Sequence, residues 1–304
     1  MTLQEFLSHQ FPYATWYREV VGGAYPWQYA VSRDKGGVIR GVLPFQVKKR
    51  WGLDVITPPP HSPRLGPYLS YPKDCISFRQ RQTYQYKVLT ELAEKLPKVA
   101  YAKIHWPYDL TFGLPWQQLG WQQTVRYSYT IDLSSTLETI HSQFKGSLRN
   151  KIRKAERQLE VVESSDYQTV FRLCQLDFAH RKVPSQIGEQ LFTQLDTAAT
   201  QAQARKIWLA QDDQGRTHAA IWVLFDEAWA YNLFLGSDPQ LRSSGATTLL
   251  LWTAIQWAKQ AGLAQFDFEG SHLPGVEPFF RSFGGEARPY YQFTKSKSWL
   301  RPFL

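Results

Sequence analysis

Short runs of alternating or continuous apolar residues dominate the first third of the chain, and longer helical periodicities come after them. A short helix is expected around residues 2–9. Strands are expected at Trp27–Ser32, Val38–Lys48 and Leu53–Thr57, with Asp34-Lys-Gly-Gly37 and Arg50-Trp-Gly52 as the turns between them. The segment from Pro58 to Pro67 is a constrained loop, because its prolines lack the amide donors that a ladder needs. A helix from about Ile76 to Leu96, stopped by Pro97, precedes strands at Val99–Trp106 and Gln122–Leu133.

The second half repeats a similar order. A polar helix is expected over Leu137–Leu159, then a strand near Val161 and helices at Tyr167–Arg181 and Gly188–Gln201. Strands at Lys206–Gln211, His218–Phe225 and Ala228–Leu235, joined by tight turns, form an antiparallel meander. A helix from Ser243 to Ala261 ends at Gly262. After it come a strand at Phe266–Glu269, a short helix and a last strand through Tyr290–Thr294. The fold class expected is α/β (α+β), with mostly antiparallel mixed sheets flanked by helices. A duplicated unit is expected, with domains at 1–135 and 136–304. A length of 304 residues also suits two domains of roughly 150 residues each.

Composition narrows the class. Hydrophobic residues make up 43% and charged residues 20%, as in soluble globular proteins, but the aromatic share is 15%. Those rings fill thick cores, or line grooves for sugars, nucleobases or acyl chains. No apolar run reaches about 18 residues, so no transmembrane segment is expected. The N-terminus does not read as a signal peptide, and Cys75 and Cys174 read as reduced, buried thiols. A cytoplasmic location is expected. The net charge of +9 points to an anionic partner: a phosphate-bearing cofactor, a nucleotide-linked substrate, RNA or a lipid surface.

Four stretches can carry chemistry. In Asp267-Phe-Glu-Gly-Ser271 the alternation buries Phe266 and Phe268 and turns Asp267 and Glu269 the other way. Glu269, shielded by Phe268, Phe279 and Phe280, can deprotonate an attacking amine, or it can simply cap the Gly270–Ser271 turn. Asp267 reads as a substrate contact or a structural anchor. In the second stretch, Arg242, Ser243, Ser244, Gly245 and Ala246 lead into a helix whose free amides favour an anion such as pyrophosphate; the plainer reading is a serine cap. Third, Lys145, Arg149, Arg153 and Arg157 form a basic stripe beside the apolar seam Phe144, Leu148 and Ile152. That stripe is a solvated face, or a track for phosphates of a substrate or RNA, with Arg149 and Arg153 as substrate contacts. Fourth, Tyr290 and Tyr291 either protonate a leaving thiolate or ribose hydroxyl, or are half-buried strand residues. The seven histidines have no metal-ligand spacing, so no metal is expected.

The meander followed by Arg242-x-x-Gly245-Ala246 is similar to the GNAT acyltransferase fold. Trp16-Tyr17, Arg126-Tyr-Ser-Tyr-Thr-Ile-Asp132-Leu133, Leu148-Arg-Asn-Lys-Ile-Arg-Lys-Ala155 and Asp267-Phe-Glu-Gly…Phe283-Gly284 stand in the order of the Fem-type group. Across almost its whole length the chain resembles that group, whose members carry two tandem GNAT-like domains. The resemblance implies a transferase that moves an acyl group from acyl- or acetyl-coenzyme A to an amine acceptor held between the domains. Aminoacyl-tRNA acting on a cell-envelope precursor is the alternative, and a non-catalytic RNA- or glycan-binding module on a decayed transferase fold is a second one. The resemblance further implies that backbone amides at Leu233 and Leu235 stabilise the oxyanion and that the basic helix borders the cleft. The N-terminal domain would shape the acceptor site. Phe280 stands where the family's catalytic lysine is usual, so either the neighbouring Arg281 substitutes from a different direction or the chemistry differs. Acceptor, acyl group and oligomeric state are not legible in these residues.

Overall fold

The computed structural model describes residues 3–8, 15–62, 64–185, 188–270 and 275–297. The chain forms two compact units: residues up to Arg126 together with those from Pro289 onward, and Tyr127–Arg288.

Unit 1 begins with α1 (Leu3–Ser8) and α2 (Thr15–Gly22), the latter absent from the sequence-based expectation. Next, β1 (Gln28–Arg33) and β2 (Ile39–Phe45) pair antiparallel. Asp34 Oδ1 shapes their turn by accepting from the amides of Gly36 and Val38 at 2.8 and 2.9 Å. The single strand expected over Val38–Lys48 is two strands: β3 (Val47–Arg50) joins a different sheet from β2 and pairs with β4 (Leu53–Ile56). The break falls at buried Gln46, whose Nε2 donates to the carbonyls of Gly22 and Tyr25 at 3.0 and 2.5 Å. A short β5 (Tyr68–Leu69) comes after the proline-rich loop and pairs antiparallel with β2.

Ser77 and Gln80 close a capping box on α3 (Phe78–Glu94), which is why the helix starts two residues after Ile76. After it come β6 (Tyr101–His105), α4 (Leu114–Gln118) and β7 (Gln122–Asp132). The helix stripe Val88, Leu89 and Leu92 packs into a core built on Trp106, Trp116, Trp121 and Phe293. Ring centroids 4.3 to 5.2 Å apart show what much of the aromatic content is for.

Unit 2 receives the end of β7 and continues with α5 (Leu137–Ser142), α6 (Gly146–Glu156), β8 (Glu160–Ser164), α7 (Tyr167–Arg181) and α8 (Glu189–Gln201). Its meander is β9 (Arg205–Gln211), β10 (Thr217–Phe225) and β11 (Trp229–Ser237). A 3₁₀ turn at Arg242–Ser244 leads into α9 (Ala246–Gln260), then β12 (Gln265–Asp267), α10 (Glu277–Arg281) and β13 (Glu286–Ser296). From Pro289 on, β13 belongs to unit 1, where it pairs antiparallel with β6.

The sheet of unit 2 runs β7-β12-β11-β10-β9-β8, and only β11–β12 is parallel. Both faces are covered. Ala219, Ile221 and Val223 of β10 join a core with Phe144 and Ile152 of the α6 region and Leu250 of α9. Trp222, pointing the other way, donates to Asp196 of α8 at 2.8 Å.

Three expectations for this unit need correction. The polar helix over Leu137–Leu159 is broken at Gln143–Lys145, because the Lys145 amide leaves the helix to donate to the Ser282 carbonyl at 2.9 Å. The strand at Phe266–Glu269 ends at Asp267, and the helix placed from Ser243 starts at Ala246. In unit 1, Cys75 is only partly buried, whereas Cys174 is buried as expected; both are free thiols.

Candidate functional site

β11 and β12 pair over only Trp229–Tyr231 against Gln265–Asp267. There β12 stops, while β11 runs on to Ser237 alongside β10. The sheet is therefore open beside Asn232–Ser237. Successive amides of a strand point to opposite sides, so this segment offers main-chain donors on the side β12 has left. Within it the register steps from Asn232 opposite Val223 to Phe234 opposite Trp222, so Leu233 is an extra, bulged residue. Leu233 and Leu235 are half-buried, which keeps the opening apolar.

The end of β12 and the bend beyond it form the other wall. Asp267 is fully buried and accepts from Ser128 Oγ at 2.6 Å and from the Glu269 amide at 2.8 Å. The expectation that both acids turn away from the core fails here, since Asp267 is held inside as an anchor. Glu269 lies past the strand end with φ +52°, a left-handed conformation that costs a non-glycine residue about 1 kcal/mol. A methyl group at Gly270 would come within 2.7 Å of the Tyr127 carbonyl oxygen, so only glycine lets the chain leave the sheet this close to β7. Ser271, the far half of the expected turn, lies outside the described residues.

The turn before α9 passes through a left-handed residue. Gly245 is buried, has φ +82° and caps α9 with no side-chain hydrogen bond. Ser244 Oγ donates to the Leu241 carbonyl at 2.8 Å and so shapes the turn, while Ser243 is exposed. Arg242 pairs with Asp177 of α7, which also pairs with Arg181 at 2.8 Å. Two guanidiniums thus share one carboxylate. On the opposite side α6 approaches closely: a methyl at Gly245 would lie 2.9 Å from Lys151 Cγ.

Arg149 and Arg153 do not join that turn. They occupy another face of α6 and line a groove of about 320 Å³ with Glu138, His141, Glu156 and Trp252. Arg149 also donates to the Ser142 carbonyl at 2.8 Å. Burial, reinforced by both arginines, holds the His141 imidazole below its ordinary value.

Phe280 is buried and stacks 5.2 Å from Phe268. Arg281 is exposed, and its Nε donates to Glu277 at 2.9 Å. Tyr290 belongs to unit 1, packed against His105 and Tyr108 with the Arg64 guanidinium 5.5 Å above its ring, whereas Glu269 and Arg281 belong to unit 2.

Sequence reasoning missed three neighbours. Tyr129 donates to Glu277; burial first, then that carboxylate, raises the phenol above its ordinary value. Asp177, which neutralises part of Arg242, lies 65 residues from it. Asn232, at the mouth of the β11 opening, is buried with no partner on Oδ1. Tyr129 sits inside the quoted Arg126–Leu133 stretch, and the other two carry no local signal.

Among the described residues no group of three or more His, Cys, Asp or Glu side chains is placed to hold a metal, and no helix is long and apolar enough to cross a membrane.

Residues 142–281 match the acetyltransferase (GNAT) domain family. None of the curated proteins matches the chain at a significant level. Among solved structures, FemX superposes with a TM-score of 0.69 at 14% identity, covering 100% of this chain and 97% of its own. L-PGS from Bacillus licheniformis gives 0.56 at 14% identity, with 99% and 92% covered. A tandem GNAT protein from the clavulanic acid biosynthesis pathway gives 0.53 at 12% identity, with 96% and 92% covered.

Proposed function

We propose that this chain, whose fold is that of the Fem-type members of the GNAT acyltransferase superfamily, transfers an acyl group from a phosphate-bearing carrier, an acyl-coenzyme A, to an amine. The observation that carries this reading is the three-residue pairing of β11 with β12, followed by the bulge at Leu233. An acyl carbonyl in that opening meets main-chain donors placed before the reaction begins, the arrangement that stabilises a tetrahedral oxyanion. The Arg242–Ala246 turn and the first amides of α9 then face the carrier's phosphates. Glu269, held past the end of β12 by Asp267, takes the proton from the attacking amine. Tyr129, bonded to Glu277, is a candidate proton donor within unit 2, whereas Tyr290 packs in unit 1.

A second reading, transfer of an aminoacyl group from tRNA, is favoured by one observation. The basic helix α6 packs the stem of Lys151 against Gly245, so the turn lies beside the helix that carries the basic stripe. It also accords with the overall likeness to FemX. No lysine occupies the position of Phe280, so oxyanion stabilisation in either reading rests on the backbone.

The test offers acetyl-coenzyme A and a charged tRNA separately, with a panel of amines, and monitors release of free coenzyme A or uncharged tRNA. Acceptor-dependent release from one donor supports the reading, and Glu269→Gln should slow it roughly a hundredfold or more. No acceptor-dependent release from either donor counts against transfer.

A further inference from the structure

Two large apolar side chains stand in water where the chain of unit 1 enters α3. Ile76 is 76% exposed and Phe78 77%. From Tyr71 to Arg81 every residue except Cys75 is exposed, so the segment stands out from the body of its unit. A single exposed apolar residue is ordinary on a protein surface. Two of them almost adjacent, on a projecting turn, call for a partner.

Local structure does not account for them. Ser77 caps α3, so Ile76 holds the position from which an apolar side chain usually packs against the fourth residue of the helix. That residue is Arg81, whose Nε donates instead to the Cys75 carbonyl at 3.3 Å. The staple is not made, and Ile76 stays exposed. The turn itself is firmly held. The Cys75 amide donates to the Pro72 carbonyl at 3.0 Å, and the side chains of Ser77 and Gln80 accept from each other's amides at 3.2 and 2.9 Å. Ile76 and Phe78 are therefore presented on a fixed backbone, which lowers the entropy lost when they are covered.

Charge and shape say what covers them. Lys73, Arg79 and Arg81 lie in the same segment, opposed there only by Asp74. All three cations are exposed, and among the described residues none of them is in an ion pair. RNA stacks on rings but leaves an aliphatic side chain such as Ile76 in water. A bilayer with anionic headgroups receives both kinds of group, and it accepts a projecting tip without a preformed cavity. We propose that residues 71–81 are a membrane-docking tip: Ile76 and Phe78 enter the acyl region of an anionic bilayer, while Lys73, Arg79 and Arg81 sit among its headgroups. The tip belongs to unit 1 and stands whether or not unit 2 transfers an acyl group.

The full-length protein is sedimented with vesicles of phosphatidylcholine alone, and with vesicles in which phosphatidylglycerol is mixed in. The wild type should partition onto the mixed vesicles and far less onto the neutral ones. Phe78→Ser should weaken that partition about tenfold or more. Arg79→Gln should weaken it roughly fivefold, the worth of one basic residue near an anionic surface. Both positions are exposed, so urea midpoints should match the wild type and separate lost docking from lost folding. Ile76→Ser, with the same loss expected, carries the test if Phe78→Ser fails to fold. No partition onto the mixed vesicles, or partition that Phe78→Ser and Ile76→Ser leave unchanged, overturns the proposal. So does a lipid-free dimer that Phe78→Ser dissolves, because the occupant is then a second copy of the chain.

Discussion

Asp267 Oδ1 accepts a hydrogen bond from Ser128 Oγ at 2.6 Å, clamping β12 to β7 at the last residue before the chain leaves the sheet. The same oxygen holds the Glu269 amide at 2.8 Å. One buried carboxylate thus fixes both where the sheet ends and where Glu269 sits. Replacing it with alanine leaves a buried hydroxyl and an amide without their acceptor. Asp267→Ala should cost about 2–3 kcal/mol in urea unfolding, with any activity falling alongside; a loss under about 0.5 kcal/mol in that assay is what a surface position gives.

Gly236 marks the contact of α7 with β11. A methyl there would lie 2.3 Å from the Cys174 amide nitrogen and 2.5 Å from the Leu173 carbonyl carbon, both backbone atoms that cannot swing aside. Gly236→Ala is therefore expected to destabilise by about 3 kcal/mol. Urea midpoints of the two proteins check this, and unchanged midpoints would mean that α7 packs farther from β11.

The two cysteines should behave differently. Burial pushes the Cys174 thiol up to about 12, so almost no thiolate exists there at pH 8. Cys75 is partly exposed. One equivalent of a disulfide reagent should react quickly with the native protein, and the second only on unfolding. Rapid modification of both thiols in the native state contradicts this packing.

Asp212 makes an acid-side prediction. Hydrogen bonds from His218 and Arg216 hold its carboxyl far below the ordinary value of 3.8. A folded-state value lower than the unfolded one means that its contribution is complete above pH 3.8 and disappears as the pH falls toward the folded value. Between pH 5 and 2, Asp212→Asn should lose less stability than the wild type. Parallel urea midpoints for the two proteins across that range would contradict it.

Most elements were legible in the sequence because their apolar spacing agrees with their burial. Tyr167–Arg181 is a helix over the span expected, and the meander of unit 2 differs only at its ends. Where pattern misled, a polar detail decided. Phe144, Leu148 and Ile152 keep helical spacing straight through the break at Gln143–Lys145, since all three are buried in the same core. What ends α5 is the bond from Lys145 to Ser282, more than a hundred residues away. Gln46 interrupts an apolar run in the same way, through carbonyls near α2.

The candidate site was legible in part. The Gly245 turn and the Asp267–Gly270 bend stand out because glycine and acidic residues interrupt apolar runs. The end of β12 at Asp267, and so the opening beside Asn232–Ser237, could not be read, because Phe268 and Glu269 continue the strand alternation. Arg149 and Arg153 share the repeat of the basic stripe, yet helix geometry sends them to the His141 groove and leaves Lys151 beside Gly245.

The most direct test is hydrogen–deuterium exchange of the protein with and without donor, run once with acetyl-coenzyme A and once with a charged tRNA. The account predicts that one donor slows exchange at two places together: the amides of Asn232–Leu235, and those of Gly245–Thr248 at the start of α9. Protection confined to other segments, or exchange unaltered by both donors, would contradict it.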